Sequence, residues 1–443
     1  MAEIAPFRGI LYNPKKVSDP SKVIAPPYDV ISPEEQDKLY RRSPYNVVRL
    51  ILNQEPDPYE SVARLFEEWQ REGVLIRDDK PALYFLRHRF SLKDKKEKER
   101  LGFMALARLE DFSSGRVRPH EATHDAPKED RLRLMLAAHA NLSPIFALYE
   151  EPRRMIDRLL AEHVQGTAPH VEVEDKGQSC RLWRVTDEEL VRMARREMAP
   201  RPLLIADGHH RYEAALQYRE RMRAEKPGFT GREAFNYMMM YFANMEDEGL
   251  VILPTHRLVR SLPPIPFMKL EEELMRYFYL EPYPKTPEGQ RAFLRALAAQ
   301  GKKHRVVGAA LKRDPRYLIL RLKNKRFMQR LAADLSAPLR ELDVSVLHRL
   351  ILDHILGFKP EEQVKEGAIA YSQDEEKVLQ ALDKEDYAAA FILNPTKAGE
   401  ILEVSEGGAT MPQKTTYFYP KLIDGLVLNK LDRDEEIAAE PAR

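Results

Sequence analysis

Four consecutive apolar residues, Leu203-Leu204-Ile205-Ala206, run straight into Asp207-Gly208-His209-His210-Arg211 and then into Tyr212 to Arg223. No other stretch constrains the fold as tightly. A short apolar run bounded by a glycine turn reads as a buried strand, and apolar residues at helical spacing beyond it read as a helix. Gly208 permits a sharp backbone turn. The pattern predicts a strand over 203–206, a turn over 207–211 and a helix from about Tyr212 to Arg223. A helix start offers unpaired N–H groups and a partial positive charge, which together favour an anion. Two imidazoles and the planar fork of Arg211 add donors that suit phosphate oxygens. The turn is therefore expected to hold phosphate. The competing reading has Asp207 capping the helix and the basic residues solvated.

A length of 443 residues favours two or three domains. The hydrophobic share of 43% supplies real cores, and a mean hydropathy of -0.52 predicts a water-soluble chain. No apolar run is long enough to span a bilayer. The opening, Met1-Ala2-Glu3-Ile4-Ala5-Pro6, lacks the basic and apolar regions of a signal peptide. A single cysteine, Cys180, excludes an internal disulfide and a cysteine zinc cage. These features predict a cytoplasmic protein with no membrane partner. With 71 basic and 70 acidic residues the net charge is +1, which argues against wrapping nucleic acid.

Along the chain, Ser32-Pro33 reads as a capped helix start. Ser61 to Glu72 places Val62, Leu65, Phe66 and Trp69 at helical spacing. Residues 82–91 and 101–109 read as strands around a mixed-charge hairpin end, and 151–200 reads as a polar insertion or a peripheral layer. Three prolines in four positions make Ser261 to Pro266 the linker candidate. Residues 1–260 are assigned to a first domain with its core at about 116–225, and 267–430 to an α/β second domain. That second domain contains a buried helix over 344–356 and a strand–helix–strand unit over 368–393. Residues 431–443 are expected to be a flexible tail. No internal repeat is visible.

His120-Glu121-Ala122-Thr123-His124 spells the H-E-x-x-H zinc-hydrolase motif, in which two histidines one helical turn apart bind metal. Pro119 before it and Pro127 soon after leave too little helix, so zinc hydrolysis stays an alternative and no metal ligand is assigned. The other reading takes the whole segment. It runs strand, carboxylate loop, helix (128–140), strand (145–148), and later strand, phosphate turn, helix.

That order resembles the ParB/sulfiredoxin superfamily, and Asp207-Gly208-His209-His210-Arg211 is closest to its free-serine kinases. Over nearly its whole length the chain also resembles the domain-of-unknown-function 1015 family. That match runs through Ala25-Pro26-Pro27-Tyr28-Asp29-Val30, Pro127-Lys128-Glu129-Asp130-Arg131-Leu132 and Asn141-Leu142-Ser143-Pro144-Ile145-Phe146. It continues through the Asp207 turn, Leu342-Asp343-Val344-Ser345-Val346-Leu347 and Met411 to Lys421. The resemblance implies an α+β fold, with a ParB/sulfiredoxin-like N-terminal domain followed by the α/β domain. It implies a kinase acting on a small hydroxylated metabolite, with free L-serine as the best guess. Glu121 matches the carboxylate that takes the substrate proton, Asp207 matches the second carboxylate, and Gly208 to Arg211 match the phosphate-holding turn. Mg²⁺ and a donor that is ATP, ADP or pyrophosphate go with that reading.

Asp29, Thr123, Lys128, Arg131 and Asn141 are the candidate substrate-binding residues, and Lys414 and Thr415 are candidates for phosphate. The insertion at 151–200 departs from the compact kinase pattern. A ParB-like nucleotide-binding or DNA-associated regulator is the alternative from another class. The near-neutral charge and the lack of a helix-turn-helix pattern count against it.

Overall fold

The run Tyr237–Asn244 is buried at every residue, and a strand buried on both sides must sit inside a sheet covered on both faces. The computed structural model shows that sheet. It describes every residue except 1, 124, 226–227, 263–265, 359–366 and 438–443. The chain forms two units. Unit 1 is Met1–Pro119, Thr123–Val251 and Pro420–Arg443, and unit 2 is His120–Ala122 and Ile252–Tyr419.

Nine strands build the main sheet of unit 1: Ile4–Ala5 (β1), Leu83–Ser91 (β2), Glu97–Arg108 (β3), Val117–Arg118 (β4), Ile145–Tyr149 (β5), Val171–Asp175 (β6), Gln178–Val185 (β7), Leu203–Asp207 (β8) and Tyr237–Asn244 (β9). They lie in the order β4-β8-β5-β9-β3-β2-β7-β6, with β1 paired to β3. Two pairs are parallel, β4 with β8 and β5 with β9, so the sheet is mixed. Helix α1 (Asp125–Ala138) packs on α2 (His209–Glu225).

The amphipathic stripe read from sequence is present as helix Pro58–Arg71, which buries Val62, Phe66 and Trp69. Burying an aromatic or aliphatic side chain of this kind contributes roughly 1.5–3 kcal/mol. Ser32 caps helix Pro33–Arg42 by accepting from the Glu35 N–H at 3.2 Å. Of the two readings of 151–200, the structure shows the peripheral layer. Its strand β7 pairs antiparallel with β2 over eight residues and carries β6 as the sheet edge.

The main sheet of unit 2 has six strands among the described residues: His256–Val259 (β10), Phe278–Pro284 (β11), Val306–Leu311 (β12), Arg316–Leu322 (β13), Ile369–Ser372 (β14) and Ala389–Ile392 (β15), in the order β11-β13-β12-β15-β10-β14. Every pairing among them is antiparallel. The expected α/β second domain is thus corrected to α+β. The strand–helix–strand unit read at 368–393 does form, through helix Glu375–Lys384, but β10 lies between its two strands and is antiparallel to both. Strands β11 and β12 flank β13 in the same way, joined by α3 (Pro287–Gly301). Two split β-α-β units therefore share one core of Phe293, Leu297, Ile319, Val378, Leu382 and Ile392, although the sequence shows no repeat. The helix expected over 344–356 winds as a π-helix at Val346–Ile355, with Leu347, Leu350 and Ile351 buried.

The boundaries differ from the sequence reading. Strand β10 belongs to unit 2, so the division falls near Val251 and not at 260. Within the expected linker, Pro263, Pro264 and Ile265 lie outside the described residues. Residues from Pro420 onward belong to unit 1. The expected tail is tied down at least as far as Ile437. The N–H groups of Leu431 and Ile437 donate to the carbonyls of His139 and Arg232, each at 2.7 Å, and Glu435 accepts from Arg8. Residues 438–443 lie outside the described residues.

Candidate functional site

Strand β8 ends at Asp207, Gly208 turns the backbone at φ 96°, and α2 begins at His209. The first helical bond runs from the Tyr212 N–H to the Gly208 carbonyl at 3.0 Å. The helix therefore starts three residues earlier than its apolar spacing indicates. His209, His210 and Arg211 form its first turn, which contains no acidic residue. Tyr212 is core, fully buried against Phe112.

Arg211 is buried and folds back. Its Nη2 donates to Asp207 Oδ2 at 2.8 Å, and its Nη1 donates to the Pro144 carbonyl. A buried guanidinium needs such partners, because an unpaired buried charge is costly. The group lies so close over Gly208 that a Cβ there would sit 2.9 Å from Nε and Nη2. Gly208 thus serves both the positive φ and the packing of Arg211. The other oxygen of Asp207 accepts from Lys421 Nζ. Burial pushes the Asp207 pKa up, but Lys421 and Arg211 outweigh it and hold the carboxyl at about 2.

Beside this pair lies Asp424, fully buried and bonded by Ser143 Oγ at 2.8 Å. Burial pushes its carboxyl up to about 7; Arg211 and the Ser143 hydroxyl oppose the rise, while Asp29 and Asp207 add to it. Asp29 is exposed on the single helical turn Tyr28–Val30. Arg131 stacks over the Tyr28 ring at 3.9 Å and donates to the Ile51 carbonyl at 2.9 Å. Asn141 Oδ1 accepts from the Met239 N–H and from Asn429 Nδ2, each at 3.0 Å.

Arg131, Asn141, Ser143 and Arg211 line one small cavity with Leu142 and Met238. Asn141 Nδ2 and Arg211 Nε are buried without hydrogen-bond partners among the described residues. Thr123 and Lys128 meet elsewhere, both on Glu213 of α2, at 2.7 and 3.1 Å. The structure thus gathers Asp207, Arg211, Arg131 and Asn141 with three residues the sequence reading missed: Lys421, Asp424 and Ser143. Lys421 closes the quoted Met411 to Lys421 motif, and that was the available signal. Asp424 carried none.

Glu121, Lys414 and Thr415 belong to unit 2. Glu121 forms a short parallel bridge with Met411, and its Oε1 accepts from the Lys414 N–H at 3.2 Å. Lys414 is exposed at φ 57°, while Thr415 is buried and bonds the Pro412 carbonyl. Arg257, fully buried, donates to the Lys414 carbonyl at 3.1 Å. Burial lowers the Arg257 pKa to about 10, against the pull of Tyr371 and Glu121. His120 is buried, with Nε2 2.9 Å from Thr416 Oγ1 and its ring edge-on to Phe418. Neither His120 nor Glu121 is helical, so the one-turn spacing required by the zinc motif is not formed through them. His124 lies outside the described residues. Among the described residues no three His, Cys, Asp or Glu side chains are grouped to hold a metal, and no helix is long and apolar enough to cross a membrane.

This arrangement of a strand end, a glycine turn and a basic first helical turn belongs to a chain that the model of DUF1015, a protein of unknown function, matches over residues 4–345. The protein is a member of that family. No curated protein matches it. Among solved structures it is similar to a free serine kinase variant in complex with ADP, at 12% identity and a TM-score of 0.35, covering 71% of this chain and 87% of that one. It is also similar to a conserved hypothetical protein from Pyrococcus furiosus, at 14% identity and 0.34, covering 72% and 93%. A third is SbnI with C-terminal truncation from Staphylococcus aureus, at 11% identity and 0.35, covering 75% and 90%.

Proposed function

We propose that the protein is a phosphotransferase that phosphorylates a small hydroxylated metabolite, with free L-serine giving O-phospho-L-serine as the specific reaction. The proposal includes a ParB/sulfiredoxin-like origin for unit 1. The observation that carries it is the Asp207 turn: a positive-φ glycine, two histidines and an arginine at the start of a helix of 17 residues, with no acidic residue in the first turn. Such a start favours phosphate. In the reaction the serine hydroxyl oxygen attacks the terminal phosphorus of ATP, ADP or pyrophosphate. The bond to the leaving phosphate oxygen breaks, and Glu121 accepts the hydroxyl proton. Asp207 is already ionised by Lys421 and Arg211, so its role is to fix those cations and not to take a proton. Mg²⁺, when bound, neutralises phosphate charge. With no cluster of three metal-binding side chains described, it would be held mainly through the donor's own oxygens.

The experiment incubates zinc-free protein with serine, Mg²⁺ and each donor, and follows phosphoserine by mass spectrometry. Phosphoserine is expected from the natural chain. In Glu121→Gln, turnover should fall by about 10²–10⁴ with donor affinity kept, since Gln cannot accept the proton. Absence of phosphoserine with every donor refutes the reaction.

A further inference from the structure

Antiparallel pairing in unit 2 brings three chain segments to one end of the sheet. The start of β12, the end of β13 and the end of β15 are neighbours there, as the pairs Val306–Arg321 and Gly308–Ile392 show. The loops at this end are strongly basic. Lys302, Lys303, Arg305, Lys323, Lys325 and Lys397 line one groove with His304, and no carboxylate lines it. Like charges so close repel one another, so a groove of this kind is stabilised when a polyanion neutralises it. Lys325 pairs with Glu341 and Arg305 with Glu400, the latter at 2.7 Å. Lys302, Lys303 and Lys397 are exposed and carry no ion pair among the described residues.

The groove, of about 200 Å³, shares Gly301, Arg305 and Lys397 with a narrower cavity of only about 20 Å³, the size of one water. Helix Ala398–Glu406 starts at that cavity, directly after Asn394-Pro395-Thr396-Lys397. Thr255 lines the cavity too. It is 1% exposed, and its hydroxyl has no hydrogen-bond partner among the described residues. Asn394 Nδ2 lies so close to Gly301 that a Cβ there would clash at 2.2 Å, and its amide supports the charge of the Asp343 carboxyl. A buried hydroxyl left without a partner is expensive unless something reaches it, and the space beside Thr255 suits one water. The cavity wall has two carboxylates. Glu400 is neutralised by Arg305. Burial pushes Asp343 up to about 7, so it is part-neutral near neutrality.

We propose that this groove binds a chain of two or more phosphates, either of a nucleoside di- or triphosphate or of inorganic pyrophosphate. The phosphates lie along the lysines of the groove, with one end of the chain at the mouth of the cavity. The inference uses no residue of the Asp207 turn and stands whether or not that turn transfers phosphate.

The test is calorimetry on the full chain with pyrophosphate, ATP, AMP and orthophosphate. Pyrophosphate and ATP are expected to bind, and to bind at least tenfold tighter than AMP or orthophosphate. In Lys302→Ala/Lys303→Ala/Lys397→Ala, whose three side chains are exposed, pyrophosphate and ATP should bind at least tenfold more weakly with an unchanged melting curve. His209→Ala should leave this binding intact, which separates it from the turn of unit 1. ATP binding tighter than pyrophosphate supports a nucleotide source, and equal affinities support an inorganic one. Unchanged affinity in the triple variant, AMP binding as well as ATP, or a single-stranded oligonucleotide bound tenfold tighter than either phosphate chain would each overturn the proposal.

Discussion

Replacing Asp424 by Asn should make the protein more stable, and only above mildly acidic pH. Asp424 is 1% exposed. Burial is the largest cause of its rise from 3.8 to about 7; Arg211 and Ser143 resist it, and Asp29 and Asp207 reinforce it. Between those two values the folded carboxyl keeps a proton that the unfolded one has released. The stability contributed by this group is therefore full below about pH 3.8, is lost as pH rises to about 7, and stays constant above. A gap of roughly three units at about 1.4 kcal/mol each sets a ceiling of about 4 kcal/mol. Asn cannot ionise, yet it keeps an oxygen to accept from Ser143. Urea unfolding of both proteins across pH 4 to 8 provides the measurement. The difference between them is read at each pH, so the transition of unit 2 cancels. The variant should gain about 2–4 kcal/mol on the natural chain between the two ends of that range. A difference that stays flat with pH would show that Asp424 is ionised throughout, and would refute the reading of this cluster as two carboxylates held in opposite states.

Gly208→Ala adds a Cβ at a φ of 96° and 2.9 Å from the Arg211 guanidinium, so it should cost about 1–3 kcal/mol and lower the melting temperature. Lys421→Met leaves Asp207 with Arg211 alone. It should cost about 1.5–3 kcal/mol near neutral pH. Because the depressed pKa of Asp207 contributes stability that is lost as pH falls from 3.8 toward 2, the variant should show a shallower acid limb in its stability–pH curve. Asn141→Ala strands the Met239 N–H and the Asn429 amide, at about 1–3 kcal/mol for each buried donor, and denaturant melts would show the loss.

Local periodicity carried much of the fold. Helix Pro58–Arg71 and strand Leu203–Asp207 announce themselves, because each buries a stripe or a run that a short window can see. Pairing is a different kind of fact. The unit at 368–393 reads correctly as strand, helix and strand, yet nothing within it tells that β10, far upstream, lies between its strands. A parallel neighbour and an inserted antiparallel one look alike from inside the segment, so α/β and α+β are indistinguishable there. The same holds for the polar stretch at 151–200. Its polarity reads as an insertion or a peripheral layer, and a sheet edge solvated on one side is such a layer, but polarity does not tell that β7 is bound to β2 through its backbone.

The site divides along the same line. Asp207 to Arg211 are contiguous, so their joint chemistry is written in one word of sequence. Lys421, Asp424 and Ser143 reach them from distant segments; Lys421 and Ser143 stand in the stretches Met411 to Lys421 and Asn141 to Phe146, but nothing in those stretches ties them to the Asp207 turn. Arg211 shows why the readable part still misled. A guanidinium at a helix start reads as a free donor for phosphate, but burial obliges it to find a partner, and it takes Asp207 and the Pro144 carbonyl. Two of its nitrogens are then committed to holding the turn together. At the cavity of unit 1 the buried donors left over are Arg211 Nε and Asn141 Nδ2. Arg211→Ala would therefore remove the brace of Asp207 along with any ligand contact. A loss of binding in that variant alone cannot distinguish a phosphate contact from a collapsed turn. His209→Ala, made in the Lys302→Ala/Lys303→Ala/Lys397→Ala background so that the groove of unit 2 is silent, leaves the Asp207–Arg211–Lys421 bonds in place and separates the two: donor binding lost with the melting curve unchanged assigns the anion to the helix start.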